Sequence, residues 1–416
     1  MLRRSSRRVI ASLRVACVAA MVALAAACTE EPPPSVARDS AGVRVVENGR
    51  PVRAEPVIRV GEPELDLGGA DTPPASSFRG VVAAFLLPSG ALVVAHDGSV
   101  LQWFEDGEPV ATAGGTGDGP GEFRMIAGAG PAGDSVWVYD YSHRRITFLD
   151  GDGGLAGTDA LPDGGGRPLP VGRLAGNVFV LAPWVDPEGE ATAPGLRRDT
   201  VPYFRYRPGG PGLEEVGRFP GREFVVGEED GRATMATPVL ARRASHHALG
   251  HRWVYGDQER RAVMILDGEG GVQTVIRWTG PGLAVTDEDR AREVEARMAP
   301  HGRDDPGLRR FLLDLEGPAT RPAYRSLLLE PSGALWVEDT GSATGEVRWQ
   351  LFRARGRWLG PIDVPDRFTP TQVMEGRVVG IWRDALDVEH VQIRTLGRDG
   401  ARPYLGGNDR QPGESP

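Results

Sequence analysis

The chain contains no lysine; all 48 of its basic residues are arginine. Together with abundant alanine, glycine and proline, this matches codon bias in a GC-rich bacterium and carries no functional message. Cysteine is nearly absent, with only Cys17 and Cys28. Cys17 sits inside the apolar segment Ala16–Ala27, so loss of that segment leaves one cysteine, and neither an intrachain disulfide nor a cysteine-based metal site can form. The apolar segment is too short to span a bilayer as a final anchor. Catalytic signatures are missing as well. There is no G-x-S-x-G elbow and no H-E-x-x-H helix, and the glycine-rich run 114–121 has neither a following Lys-Ser/Thr nor a helix pattern, which excludes a nucleotide loop. Asp150-Gly-Asp-Gly-Gly154 is too short for an EF-hand loop. His246, His247 and His251 do not suit a zinc helix, because Gly250 intervenes and His251 starts a predicted strand. No cofactor and no metal site is therefore expected.

The net charge of −9 falls to −14 once the five arginines of residues 1–27, which hold no acid, are set aside. An acidic surface argues against nucleic acid as a partner and against electrostatic adhesion to anionic lipid. Residues 1–27 instead read as an export signal, with Arg3, Arg4, Arg7 and Arg8 ahead of the apolar run and small residues at its end. The stop, Leu24-Ala25-Ala26-Ala27-Cys28, resembles the lipobox of bacterial lipoproteins, with Leu one place further from Cys than usual. The resemblance implies lipidation of Cys28 and anchoring in the cell envelope, with Thr29 permitting outer-membrane sorting. Residues 28–41 are polar and Pro-rich and read as a tether.

Beyond the tether the chain repeats. Gly90, Gly133, Gly176, Gly250, Gly333 and Gly376 each precede a short β-rich run, at spacings of 43, 43, 74, 83 and 43. The third residue after each glycine is Val93, Val136, Phe179, Trp253, Trp336 or Val379, the types a buried strand requires. A second run follows each, then in several cases a turn such as Asp106-Gly107, Asp150-Gly151 or Asp267-Gly268. Four short strands in about 43 residues is the size of a propeller blade. The expected fold is all-β, a six-bladed β-propeller of four-stranded antiparallel blades over residues 42–405. A spare N-terminal run, 42–48 or 55–61, would complete the last blade. The two long intervals hold insertions. Residues 184–200 read as a surface loop and 286–318 as a helical pair between blades 4 and 5, with Thr286 as N-cap and Asp287, Glu288 and Asp289 in the first turn. Residues 406–416 read as a disordered tail.

The segment Asp140-Tyr-Ser-His143-Arg-Arg145-Ile146, followed by TFLDGDG, resembles the NHL repeat, with His143 where Asn is usual. Upstream, Gly115 to Phe123 resembles the G-x-G-x-G-P-G-E-F loop of bacterial six-bladed, NHL-like (TolB-like) propeller lipoproteins, and Gly217 to Phe224 is a worn copy. The resemblance is close over 85–155 and implies the six-bladed fold without an activity. In such folds the turns between second and third strands sit at the channel mouth. This places Asp97, Asp140, His143, Arg144, Asp257, Arg260, Asp339 and Arg383 as candidate binding residues. The expected function is a monomeric, lipid-anchored envelope module that binds a protein, peptide or glycan, without catalytic residues. The alternative is a metal-dependent hydrolase or lyase of the lactonase type.

Overall fold

The computed structural model describes residues 33–69, 77–183, 194–229, 232–298, 305–340 and 348–397. The chain divides into two compact units, Met1–Pro34 and Ser35–Pro416. Cys17, Cys28 and the signal-like segment lie outside the described residues, as does the expected C-terminal tail. Among the described residues no helix is long and apolar enough to cross a membrane.

Among its described residues the second unit is all-β apart from two short helices. It begins with β1 (Ser35–Ser40), β2 (Val43–Asn48) and β3 (Ile58–Gly68). Antiparallel ladders in simple up-and-down order follow: β4 (Ala83–Leu86), β5 (Leu92–His96), β6 (Val100–Glu105) and β7 (Glu108–Gly114), then β8 (Ile126–Ala132), β9 (Ser135–Asp140), β10 (Arg145–Leu149) and β11 (Leu155–Ala160). The next comprises β12 (Leu169–Leu174), β13 (Val178–Ala182), β14 (Gly195–Tyr206), β15 (Glu214–Glu229) and β16 (Arg232–Ala236). After it come β17 (Ser245–Leu249), β18 (Arg252–Gly256), β19 (Ala262–Asp267) and β20 (Val272–Trp278), and then helices α1 (Asp287–Met298) and α2 (Pro306–Asp314). The chain ends with β21 (Tyr324–Leu329), β22 (Leu335–Asp339), β23 (Arg348–Phe352) and β24 (Trp358–Asp363), then β25 (Phe368–Met374), β26 (Arg377–Arg383) and β27 (Glu389–Gly397).

The N-terminal strands complete ladders made far along the chain. β3 pairs antiparallel with β27, from His390 opposite Gly68 to Gly397 opposite Arg59, so the ladder β25-β26-β27 gains its fourth strand. A Cβ on Gly68 would stand 2.6 Å from the Glu389 carbonyl, so the crossing requires glycine there. β2 runs parallel to β20 and carries β1 on its outer edge. Residues 35–40, assigned from sequence to the tether, are thus a strand. All of them but Ser35 are exposed, so the ladder rather than a buried face holds them, and no apolar alternation marks the segment. Residues 195–200, read as surface loop, likewise belong to the long β14–β15 hairpin, which joins Gly195 to Val226 at its far end.

The first strands lie side by side in a closed cycle: β4 beside β8, β8 beside β12, β12 beside β17, β17 beside β21, β21 beside β25, and β25 beside β4. Hydrophobic clusters fill the gaps between successive ladders, as where Phe85, Val93 and Trp103 of one meet Ile126, Val136 and Val138 of the next. The repeated glycines mark the same turn each time, with φ between +64° and +96° from Gly250 to Gly90. The residue three places on is 0% exposed in every case, from Val93 to Val379. At Asp106-Gly107 both residues have positive φ, as a two-residue hairpin turn demands. Asp150 and Asp267 close longer turns instead, each side chain accepting backbone N–H groups two and four residues on.

Helix α1 begins with a capping box: the Asp289 amide donates to Thr286 Oγ1 at 3.1 Å, and the Thr286 amide donates to the Asp289 carboxylate at 3.0 Å. Val294 and Met298 share one face and pack on Val239 and on Leu312 of α2.

Candidate functional site

The glycine-rich segment after β7 folds back on its own glutamate. Glu122 accepts the Gly119 N–H at 2.8 Å, and a Cβ on Gly117 would overlap the Glu122 carboxylate. Phe123 is driven fully into the core. The worn copy does the same with different partners. Phe224 is 2% exposed, and Glu223 accepts the Arg242 amide at 2.7 Å and pairs with its guanidinium. In both places the Glu-Phe pair fastens a connection to the core.

That loop is tied to the β9–β10 turn. Asp140 is 0% exposed and accepts the amides of Arg124, Met125, Ser142 and His143. His143 donates Nδ1–H to Asp140 at 2.5 Å and Nε2–H to Asp118 at 2.7 Å, and Asp118 takes a two-pronged bond from Arg124 at 2.8 and 2.7 Å. Both imidazole nitrogens face carboxylates, an arrangement that favours the doubly protonated ring. Its pKa is raised, first by Asp140 and then by Asp118. Burial would raise the Asp140 pKa, but the bonds from His143 and the backbone hold it below the ordinary value. Asp118 is held well below the carboxylate range by Arg124 and His143.

The other turn residues are also engaged locally. Arg144, at φ +50°, donates to the carbonyls of Pro162 and Gly164. Asp257 accepts the Glu259 amide. Asp339, 5% exposed, accepts Trp278 Nε1–H at 2.8 Å and Arg261 Nε–H at 3.4 Å, which joins two ladders. Arg383 pairs with Glu389 at 2.5 Å. Asp97 is exposed at φ +53°, its amide bonded to the Arg79 carbonyl, and Arg260 is exposed. Asp140 and His143 meet; none of the eight lines the cavities described next. Among the described residues no three His, Cys, Asp or Glu side chains group as metal ligands.

At the N-terminal ends of β17 and β21, α1 walls a pocket of about 420 Å³. Arg243, Gln258, Arg321, Arg325, Ser326 and Glu338 face Asp289, Arg292, Glu293 and Arg297 across it. Glu338 accepts the Ser326 hydroxyl at 2.6 Å, and burial raises its pKa. Arg325 lies 3.9 Å from Glu293 of the helix. A neighbouring pocket of about 390 Å³ is lined by Arg222, Glu223, Arg242, Arg243, Tyr203 and His246. His246 Nδ1 shares a 3.0 Å hydrogen bond with the Tyr203 hydroxyl, and burial pushes the imidazole pKa down to about 4.

Along the axis of the strand cycle lies a larger cavity of about 600 Å³, with walls from β4, β8, β12, β17, β21 and β25. Small residues keep it open: β8 reads IAGAGPA, and Gly128 and Gly130 have no room for a Cβ beside Pro170 and Trp137. Ser326 and Thr369 line both this cavity and the helix-walled pocket. Its lining is mostly apolar, with Arg173 and His247 among the exceptions. Arg173, Arg325 and Glu338 were not singled out from sequence, and His247 was weighed there only as a zinc ligand and set aside. The available signal was a charged or imidazole residue inside an otherwise apolar first strand, as in LPVGRL and SHHAL.

No family model matches the sequence, and no curated protein matches it. Among solved structures the chain is similar to a Bacteroides fragilis protein classed as exported, at 10% identity and TM-score 0.48, covering 85% of this chain and 99% of that one. It is similar to a member of the DUF4221 family from Bacteroides vulgatus at 9% identity and TM-score 0.49, covering 82% and 99%. It is also similar to virginiamycin B lyase from Staphylococcus aureus at 10% identity and TM-score 0.38, covering 80% and 97%. Likenesses at these scores assign no function to the chain.

Proposed function

We propose that the chain is a six-bladed β-propeller, held in the cell envelope by lipid on Cys28, that binds a peptide, protein or glycan at its helix-walled mouth without catalysis. The closed cycle of first strands and the β3–β27 pairing support the propeller reading. The observation that carries the binding reading is the pocket between α1 and the starts of β17 and β21. It presents guanidinium, carboxylate, amide and hydroxyl groups on one concave surface, a donor and acceptor set suited to a polar polymer. The hydrolase or lyase reading requires several oxygen or nitrogen ligands meeting at the axis. The mouth acids Asp140 and Asp339 are committed to backbone amides, His143, Trp278 and Arg261 instead.

Photo-crosslinking in the native envelope tests the binding reading. A crosslinking residue at Arg325 is expected to capture a partner that the same residue at Arg59, exposed on β3, does not. Equal capture at both positions, or none at Arg325, refutes it. The anchor is tested separately: Cys28→Ser should abolish palmitate labelling in a Gram-negative host and release the chain from membranes.

A further inference from the structure

Two polar features of the axial cavity lie on consecutive first strands. On β12, Arg173 donates Nε–H to Asn177 Oδ1 at 3.0 Å, and no carboxylate among the described residues faces its guanidinium. Its partial burial lowers its pKa. On β17, His247 Nδ1 accepts the Leu329 amide of β21 at 3.2 Å. Burial brings its pKa down to about 4, so the ring is neutral and its proton sits on Nε2, where no described residue takes it. The strands bearing Arg173 and His247 are bonded at the adjacent pair Gly172 and Ala248. A Cβ on Gly172 would stand 2.9 Å from the Ala248 carbonyl, so glycine sets this close approach. A guanidinium fork and an imidazole N–H thus line, from neighbouring strands, one cavity whose other walls are mostly apolar, among them Leu328, Trp137 and Trp349, with Ser326, Thr369, Thr371 and Gln372 as further polar groups.

A half-buried cation with no carboxylate beside it is open to an anion, and a two-pronged donor fits a carboxylate. We propose that the axial cavity binds an amphiphile with one carboxylate head, the head on Arg173 and His247 and the apolar body along the first strands. The volume of about 600 Å³ is within the range of small-molecule sites. This site does not depend on the helix-walled mouth, and it holds whether or not the mouth takes a polymer.

The test uses the full chain carrying Cys28→Ser, which removes the need for competing detergent. Octanoate and 1-octanol are titrated calorimetrically, and tryptophan emission is followed because Trp137 and Trp349 line the cavity. Octanoate should bind one per chain, about tenfold or more tighter than 1-octanol, and shift the emission. Arg173→Gln should remove that preference and leave 1-octanol binding intact, and His247→Gln should reduce it. Arg173→Lys, which keeps the charge and loses the fork, should fall between and serves if the Gln variant does not fold. Absence of octanoate binding, equal affinity for the two probes, or an unchanged preference in folded Arg173→Gln or Arg173→Lys overturns the proposal.

Discussion

At the β9–β10 turn an acid is sealed from water and surrounded by donors: Asp140 takes four backbone amides and an imidazolium. In the axial cavity a cation is partly withdrawn from water, yet among the described residues Arg173 meets only the side-chain oxygen of Asn177. The two histidines differ in the same way. His143 spends both nitrogens on carboxylates, whereas His247 spends one on an amide and keeps a donor toward the cavity. Groups whose bonds are completed inside the protein hold the fold, and groups left incomplete in a concave wall are available to something else.

The contrast breaks most readily at Asp140. Asp140→Ala strands four part-buried amides and the imidazole of His143 and should cost about 3 kcal/mol, read from the urea midpoint at neutral pH. A loss below about 1 kcal/mol would show that the turn does not depend on its acid.

Acid should act next. His246 and His247 have folded pKa values near 4 against 6.5 for the ordinary group, so the folded state disfavours their protonation. Their contribution is complete above pH 6.5 and is lost as pH falls toward 4. The variant His246→Phe with His247→Gln should flatten that part of the stability–pH curve; an unchanged slope would count against the buried neutral rings.

The turn network predicts the opposite sign. The pKa of His143 is raised, so its contribution is whole below pH 6.5 and disappears as pH rises through the folded value. Asp140 is lowered, so its share is present above the ordinary value and lost as pH falls through the folded one. Hydrogen exchange over residues 115–124 should therefore quicken on the alkaline side, beyond the intrinsic rate, and His143→Asn should remove that dependence.

The smallest effect is expected at Arg173. Arg173→Met loses one bond to Asn177 and relieves a desolvated charge, so stability should stay within about 0.5 kcal/mol of the parent, in sharp contrast to Asp140→Ala. A loss of about 2 kcal/mol would mean that Arg173 is structural, and the comparison would fail.

Much of the fold was legible in the sequence, for a definite reason. The turn after each first strand needs positive φ, so glycine is retained at Gly90, Gly133 and Gly376, and the strand after it is buried on both faces, so the third residue is always apolar. Where a strand has no buried side, the pattern vanishes, as in β1, and the charged LRRD start of β14 reads as loop. The turn acids were also legible as residue types, since Asp and His at such positions stand out, but their partners came from distant segments such as Asp118 and Arg124. Arg173 was hidden because a single Arg in an apolar strand has no motif, and His247 stood out only as a poor zinc ligand; the meaning of each depends on which neighbouring strand faces it.

The β3–β27 pairing also has a kinetic consequence. Arg59 cannot find Gly397 until the intervening chain is present, so the strand made almost first is docked almost last. Such a long loop makes closure entropically slow, and the chain passes through an open state in which β3 and the edge of β27 are both exposed. Until β3 docks, the open edge of β27 is a template on which a strand of another chain could pair in its place.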